Sequence, residues 1–246
     1  MDLSIIIPAF NESKKIGRDV EAASSFFSEA RLEGEIIVVD DGSSDDTAEA
    51  ARRPAIPPSV KRSVIRLDRN SGKGAAVRRG ILESKGTVVL YTDSGACVPF
   101  ANALPVIQKI MAGELDVGLA SRRLKETVIQ RNRPLRRRAI SWIFHQAAVT
   151  IAGLPRWISD SQCGFKVYRG KTARELYSGL SASGFLFELE IILKATRRGY
   201  RIEEFPVEWT CDLDSRLHPG AQAGNIAREL FQIRAMRKSW RNPGAH

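Results

Sequence analysis

The chain is poor in cysteine and histidine, with three of each among 246 residues. Cys97, Cys163 and Cys211 show no metal-ligand spacing and are too few for a disulfide framework. A sparse, odd set suits reduced thiols in a cytosolic setting. His145, His218 and His246 have no paired partner in the sequence, which sets them aside as ligands or bases. No apolar run reaches the roughly 18 residues that a membrane-spanning helix needs. The first apolar run begins almost at the N-terminus, which leaves no room for a signal peptide. Aromatic residues make up only 7% of the chain and are not interleaved with the basic ones as stacking platforms. No DNA- or RNA-binding motif is present, so nucleic acid is not an expected partner. Repeats and low-complexity tracts are also missing.

What is plentiful is positive charge. Lys and Arg number 38 against 28 Asp and Glu, a net charge of +10. The basic residues gather at Arg122-Arg123-Leu124-Lys125, between 131 and 138, and from Arg228 to Arg241. Such a surface attracts phosphates or anionic lipid. Between 131 and 138 five arginines stand in eight positions, where they repel one another unless an anion offsets them. The Arg228 to Arg241 group reads equally well as a solvated helix face.

Apolar runs at Leu3 to Ile7, Ile36 to Val39, Val64 to Leu67, Thr87 to Tyr91 and Val117 to Ala120 predict strands, as does Glu203 to Trp209. Helices are predicted over Asn11 to Arg31, Asp46 to Arg52, Ala75 to Ser84, Asn102 to Met111, Ala139 to Ile151 and Leu186 to Arg198. A last, amphipathic one runs from Ala223 to Ser239, with Ile226, Leu230, Ile233 and Met236 on one face. The alternation predicts an α/β fold, a doubly wound and mostly parallel sheet flanked by helices. One catalytic domain over 1–217 is expected, followed by a C-terminal helix and tail over 218–246. The tips Asn11-Glu12 and Asp40-Asp41 should emerge at the same sheet edge, where open α/β sheets bind ligands. Asn70-Ser-Gly-Lys73-Gly74 lacks the spacing of a Walker loop. It reads as a tight turn into a helix N-terminus, which favours anions, with Lys73 placed to meet a phosphate.

Pro8-Ala9-Phe10-Asn11-Glu12 followed by Val39-Asp40-Asp41-Gly42-Ser43 resembles the nucleotide-binding start of the family-two glycosyltransferases. The resemblance implies a single Rossmann-like domain of the glycosyltransferase A type that binds a nucleotide sugar. It assigns Pro8, Ala9, Asn11, Glu12, Asp40, Asp41, Gly42 and Lys73 to the donor. Relatives carry Asp-x-Asp at the end of the fourth strand and hold a divalent ion, Mg²⁺ or Mn²⁺, against the diphosphate. Here Thr92-Asp93-Ser94-Gly95 leaves Asp93 with Gly95 where the second Asp should stand. A shift by one residue leaves Ser94 there instead and loses the first Asp. Either way one carboxylate is missing and metal affinity should fall, although an ion bound mainly through diphosphate can manage with few protein ligands.

Further stretches resemble the polyprenyl-phosphate sugar synthase branch. They are Ala120-Ser-Arg122, Arg137-Arg-Ala-Ile-Ser141, Asp160-Ser-Gln-Cys-Gly-Phe-Lys166, Phe185-Leu-Phe-Glu-Leu-Glu190, Gly199 to Trp209, and Ser215-Arg216. The match spans about residues 3 to 217. It implies an inverting transfer of a hexose, glucose before mannose, from a donor such as UDP-glucose to dolichyl or undecaprenyl phosphate. Arg137 and Ser141, four apart on a helix, share one face. With Arg122 they would grip the acceptor phosphate. Asp93 would steady the leaving diphosphate through the ion, and Asp160 would orient the acceptor or the sugar. Phe185 and Phe187 read as core. Glu188 and Glu190 lie two apart, so at most one can face a site. A lipid acceptor implies a protein peripheral to the cytoplasmic membrane face. Two alternatives stay open: a transferase with a soluble acceptor, and a non-catalytic nucleotide-sugar binder.

Overall fold

The computed structural model describes residues 1–131, 135–182, 184, 186–210, 219–237 and 240, with the side chains of 131, 135–137 and 219–227 set aside. Among the described residues seven strands form the main sheet. In chain order they are β1 (Leu3–Ala9), β2 (Gly34–Asp40), β3 (Val60–Arg66), β4 (Val88–Thr92), β5 (Val117–Ser121), β7 (Phe165–Arg169) and β8 (Ile202–Pro206). Their spatial order is β3-β2-β1-β4-β7-β5-β8. Every pair is parallel except those made by β7, which runs antiparallel to β4 and β5. β6 (Val128–Arg131) and β9 (Glu208–Thr210) make a separate two-stranded ladder.

The helices cover both faces because β1 and β2 alternate. Ile5, Ile7, Ile36 and Val38 pack with Val20 and Phe27 of α1 (Ile16–Ala30). Ile6, Ile37 and Val39 pack with Ala76 and Val77 of α3 (Lys73–Glu83) on the other side. Strands buried on both faces explain the unbroken Ile and Val runs. α2 (Thr47–Arg52) and α4 (Leu104–Met111) join the first layer's side of the chain, while α6 (Gly170–Ser178) and α7 (Phe187–Arg197) serve the second.

Three elements were not expected from the sequence: β6 of the two-stranded ladder, β7 and α6. β7 occupies the middle of the sheet, and α6 follows it directly. The predicted 203–209 strand is divided between β8 and β9, which belong to different sheets. α5 (Leu135–Ala147) continues into a π-helical turn, Ala148–Ala152, matching the predicted helix and extending it at the front. α8 (Pro219–Met236) buries Leu230 and Ile233 in the second core cluster, and Arg237 donates from Nη1 to the Ala152 carbonyl at 3.1 Å. Leu230 and Ile233 therefore pack on the fold, and Ile226 lies outside the described side chains. No helix among the described residues is long and apolar enough to cross a membrane.

Candidate active site

β1 stands where the strand order reverses: β2 and β3 lie to one side and β4 to the other. Such a switch point opens a crevice at the carboxyl ends of the strands. β1 pairs with β2 as far as Ala9 and Asp40, but with β4 only as far as Ile6 and Tyr91. Pro8, which has no N–H to give a ladder, lies just beyond the β4 pairing.

The donor-side residues predicted from the sequence meet here. Asp41 donates its N–H to the Ala9 carbonyl at 2.8 Å. Asn11, at φ 53, accepts from the Ser44 N–H at 2.7 Å through Oδ1 and donates its own N–H to Ser43 Oγ at 2.8 Å. The Glu12 N–H donates to Thr47 Oγ1 at 2.8 Å, and its carboxylate lies 3.8 Å from Lys15 Nζ. Gly42 has φ 71, and a Cβ there would stand 2.5 Å from the Arg69 carbonyl carbon. Glycine is thus required for the tip of β2 to pass the 69–70 backbone.

The two acids of this tip have different situations. Asp40 is fully buried, and its Oδ1 accepts from the Ser43 N–H at 2.9 Å. Its Oδ2 is buried without a hydrogen-bond partner, with Arg66 Nε 3.5 Å away. The ion pair with Arg66 offsets part of the cost of burying this carboxylate without a second hydrogen bond. Asp41 accepts from the Ser71 N–H at 2.7 Å and the Gly72 N–H at 2.9 Å. Burial raises its pKa, against the pull of those two amides. Asp41 therefore holds the glycine turn in front of α3.

Lys73, the first residue of α3, is the centre of a partly buried charge cluster. Its Nζ lies 2.8 Å from Asp93 Oδ1, 3.1 Å from Oδ2 and 3.5 Å from Glu188 Oε1. It also sits over the rings of Tyr91 and Phe187, 5.6 and 5.8 Å from their centroids. The Tyr91 hydroxyl is 2.6 Å from Asp93 Oδ1 and 3.0 Å from Glu188 Oε1, which compete for its one proton. Lys166 Nζ closes the cluster at 3.1 Å from Glu188 Oε2 and donates to the Cys163 carbonyl. Burial acts to lower the pKa of Lys73, but Asp93 and Glu188 together outweigh it and raise the value. The ammonium is held charged. Of the two glutamates on α7, Glu188 faces this site; Glu190 is fully buried elsewhere, against Lys194 and the amides of Ser181 and Ala182.

The loop after β4 does not replace the missing carboxylate. Gly95 has φ 100 and Ala96 φ 47. The Gly95 N–H donates to Asp19 Oδ2 at 2.9 Å. Asp19 is buried on α1, and burial lifts its pKa to about 6. The donor set here fits a divalent ion poorly. Asp93 brings one carboxylate, whose two oxygens already face an ammonium and a hydroxyl. Among the described residues no group of three or more His, Cys, Asp or Glu is arranged to hold a metal ion.

The described residues expected at the acceptor side lie around the end of β5. Arg122 binds Asp160 through two side-chain hydrogen bonds, and its N–H donates to Oδ2 at 3.1 Å. Its guanidinium lies 5.7 Å from the Trp209 ring centroid. Burial alone would raise the Asp160 pKa, but Arg122 draws it down to about 2. Glu204 of β8 accepts from the Ser159 and Asp160 amides, each at 2.9 Å, and fixes that loop. The arginine that reaches Ser141 is Arg123, whose Nη2 donates to its Oγ at 3.2 Å and its carbonyl at 3.1 Å. The Arg137 side chain, Phe185, Cys211 and Ser215-Arg216 lie outside the described residues.

The residues that sequence reasoning did not place are Tyr91, Lys166, Glu204, Asp19 and Arg123. Lys166 carried a signal: a lysine within Phe-Lys-Val-Tyr, where alternation leaves no exposed face. It pairs across β4 and β7 with Tyr91, which puts both on the side of Glu188.

Residues 4–176 match the model of glycosyl transferase family 2. The chain belongs to that family. Family relatives include the dolichyl-phosphate beta-glucosyltransferase of Dictyostelium discoideum, 31% identical over 242 residues, covering 94% of this chain and 73% of that protein. The protein of the same name from Saccharomyces cerevisiae is 31% identical over 94% of this chain and 74% of its own length. The human one is 29% identical over 97% and 77%. Among solved structures, glucosyl-3-phosphoglycerate synthase from Mycobacterium tuberculosis, in complex with Mn²⁺, uridine diphosphate and phosphoglyceric acid, superposes with a TM-score of 0.67. It is 19% identical and covers 99% of this chain and 80% of its own. At that identity the likeness establishes the family-2 fold.

Proposed function

We propose that this protein is an inverting glycosyltransferase that moves glucose from a nucleotide sugar, UDP-glucose, to a dolichyl or undecaprenyl phosphate. The observation that carries the reading is the 31% identity to a dolichyl-phosphate beta-glucosyltransferase over 94% of the chain. The geometry supports it from both ends. On the donor side, Asp40 brings to the crevice a carboxylate whose Oδ2 makes no hydrogen bond and has only the Arg66 guanidinium nearby, which suits an N–H or hydroxyl of the nucleoside. The Ser71-Gly72 turn and the N-terminus of α3 face the diphosphate, with Lys73 beside them. On the acceptor side, Ser141 and Arg123 are already in contact, and the arginine at 137 lies one helical turn before Ser141. A guanidinium beside a hydroxyl suits a phosphate monoester.

A lipid phosphate is ionised near neutral pH, so its oxygen needs no base. That oxygen forms a bond to the anomeric carbon as the bond from this carbon to the β-phosphate oxygen breaks. The electron pair leaves with the nucleoside diphosphate, and one in-line displacement inverts the centre. Catalysis then rests on alignment and on stabilising the departing charge. Arg122 and Asp160 act as a fixed wall that positions the acceptor loop. The same reading places the protein at the cytoplasmic membrane face. α5 leaves Trp142 and Ile143 exposed at 59% and 60%, next to Ser141 in the chain and beside an exposed Arg138. Aromatic and basic residues together suit the interface of an anionic bilayer.

The test is incubation of the full chain with radiolabelled UDP-glucose and a short-chain polyprenyl phosphate, followed by organic extraction. Label in the lipid phase, with little from GDP-mannose, is expected. Transfer only to a soluble phosphorylated acceptor would overturn the reading.

A further inference from the structure

We infer that Lys73, and not a divalent metal ion, is the cation that meets the diphosphate of the donor, and that Asp93 serves to position Lys73. The inference rests on the donor reading above and deepens it.

Four observations carry it. Asp93 is the one carboxylate of its motif, and Lys73 Nζ lies within 3.1 Å of both its oxygens. The second carboxylate cannot be supplied by a small change at Gly95, because its φ is 100 and its amide is committed to Asp19. Lys73 and Lys166 balance Asp93 and Glu188 charge for charge, with Lys166 and Glu188 buried and Lys73 and Asp93 partly exposed. A divalent cation would have to share Asp93 with the Lys73 ammonium, whose like charge repels it. Finally, Lys73 is aimed from two sides: Glu188 is 2% exposed, and the Tyr91 hydroxyl ties Asp93 to it. Lys73 begins α3, whose N-terminus also favours a developing negative charge. When the bond to the anomeric carbon breaks, the charge gathers on the β-phosphate oxygen. An ammonium already fixed there requires no reorganisation.

Calorimetric titration of UDP into the full chain tests this, once after EDTA treatment and once in MnCl₂. The expected result is the same affinity in both buffers for the parent. In Lys73→Gln the affinity for UDP should fall about tenfold or more in EDTA while that for uridine is kept. In Asp93→Asn the affinity should again be equal in the two buffers. A rise of about tenfold or more with Mn²⁺ in the parent, lost in Asp93→Asn, would overturn the inference and leave the donor reading standing. Absence of UDP binding in either buffer would overturn both. The parent comparison needs no substitution, so a Lys73 variant that fails to fold does not shield the idea.

Discussion

The Arg122 guanidinium meets the Asp160 carboxylate side-on, Nε to Oδ2 at 2.6 Å and Nη2 to Oδ1 at 2.7 Å. The two residues are 38 apart in sequence and join the end of β5 to the loop before β7. Asp160 is buried and Arg122 largely so, its side chain 12% exposed, so neither can lose its partner without leaving an unpaired charge behind. Asp160→Ala should therefore cost about 3–5 kcal/mol in urea denaturation. Arg122→Ala should cost a similar amount, and the double variant less than the sum. Additive losses would mean that the pair is not a unit.

The same pair sets an acid limb. The Asp160 pKa is held near 2 in the fold, below its ordinary 3.8. Its contribution to stability is present above about 3.8 and is lost as pH falls through 2. Asp19 has the opposite sign. Its pKa is lifted from 3.8 to about 6, so its favourable contribution exists below 3.8 and is lost as pH rises through 6. Asp19→Asn should remove up to about 3 kcal/mol of that slope between pH 4 and 7, read from denaturation midpoints. An unchanged slope would show that Asp19 is not protonated in the fold.

Asp40→Ala should weaken UDP binding by at least about 1.4 kcal/mol, a factor of ten, because the proposed function gives the Asp40 carboxylate to the nucleoside. Circular dichroism must show the variant folded. Full affinity in a folded variant would move the nucleoside away from the tip of β2.

Gly95→Asp restores the carboxylate that relatives carry but places a side chain at φ 100. The strain should lower stability by about 1–3 kcal/mol. It should not create tight Mn²⁺ binding in calorimetry, since Lys73 still occupies the neighbouring Asp93. A stable variant with a new, tight ion site would contradict the described loop.

Sedimentation with anionic vesicles should capture the protein at low salt and release it as salt screens the charges. Replacing Arg131, Arg133 and Arg136 should reduce capture at about 1 kcal/mol per charge near the lipid. Trp142→Ala with Ile143→Ala should weaken the salt-resistant part. UDP affinity should be unchanged in both. Equal partitioning of variants and parent would give the basic cluster and the α5 face another purpose.

The strand tips were legible because β1 and β2 are buried on both faces and end in turn-forming polar residues. Each of those facts is local. β7 was not legible. Its Phe-Lys-Val-Tyr-Arg carries two cations, and only the fold supplies Glu188 for Lys166 and Asp116 for Arg169. The choice between Arg122 and Arg123 had the same difficulty. Adjacent arginines fit one motif equally well, and it is Asp160, far along the chain, that takes the first and leaves the second for Ser141. Glu188 shows the middle case. Helical spacing fixed that only one of two glutamates faces the site, while the partner lysines decided which.

Asp41 also bears on how fast the site can work. Its two hydrogen bonds to the Ser71 and Gly72 amides seat the glycine turn during folding, before any donor arrives. A turn that had to be ordered by its ligand would charge that ordering against affinity and add a slow step to association. Here the entropy of arranging the phosphate-facing backbone is already settled by an internal carboxylate. A donor molecule thus meets a mould already set, and the pace of encounter is left to diffusion and to the positive field of the chain.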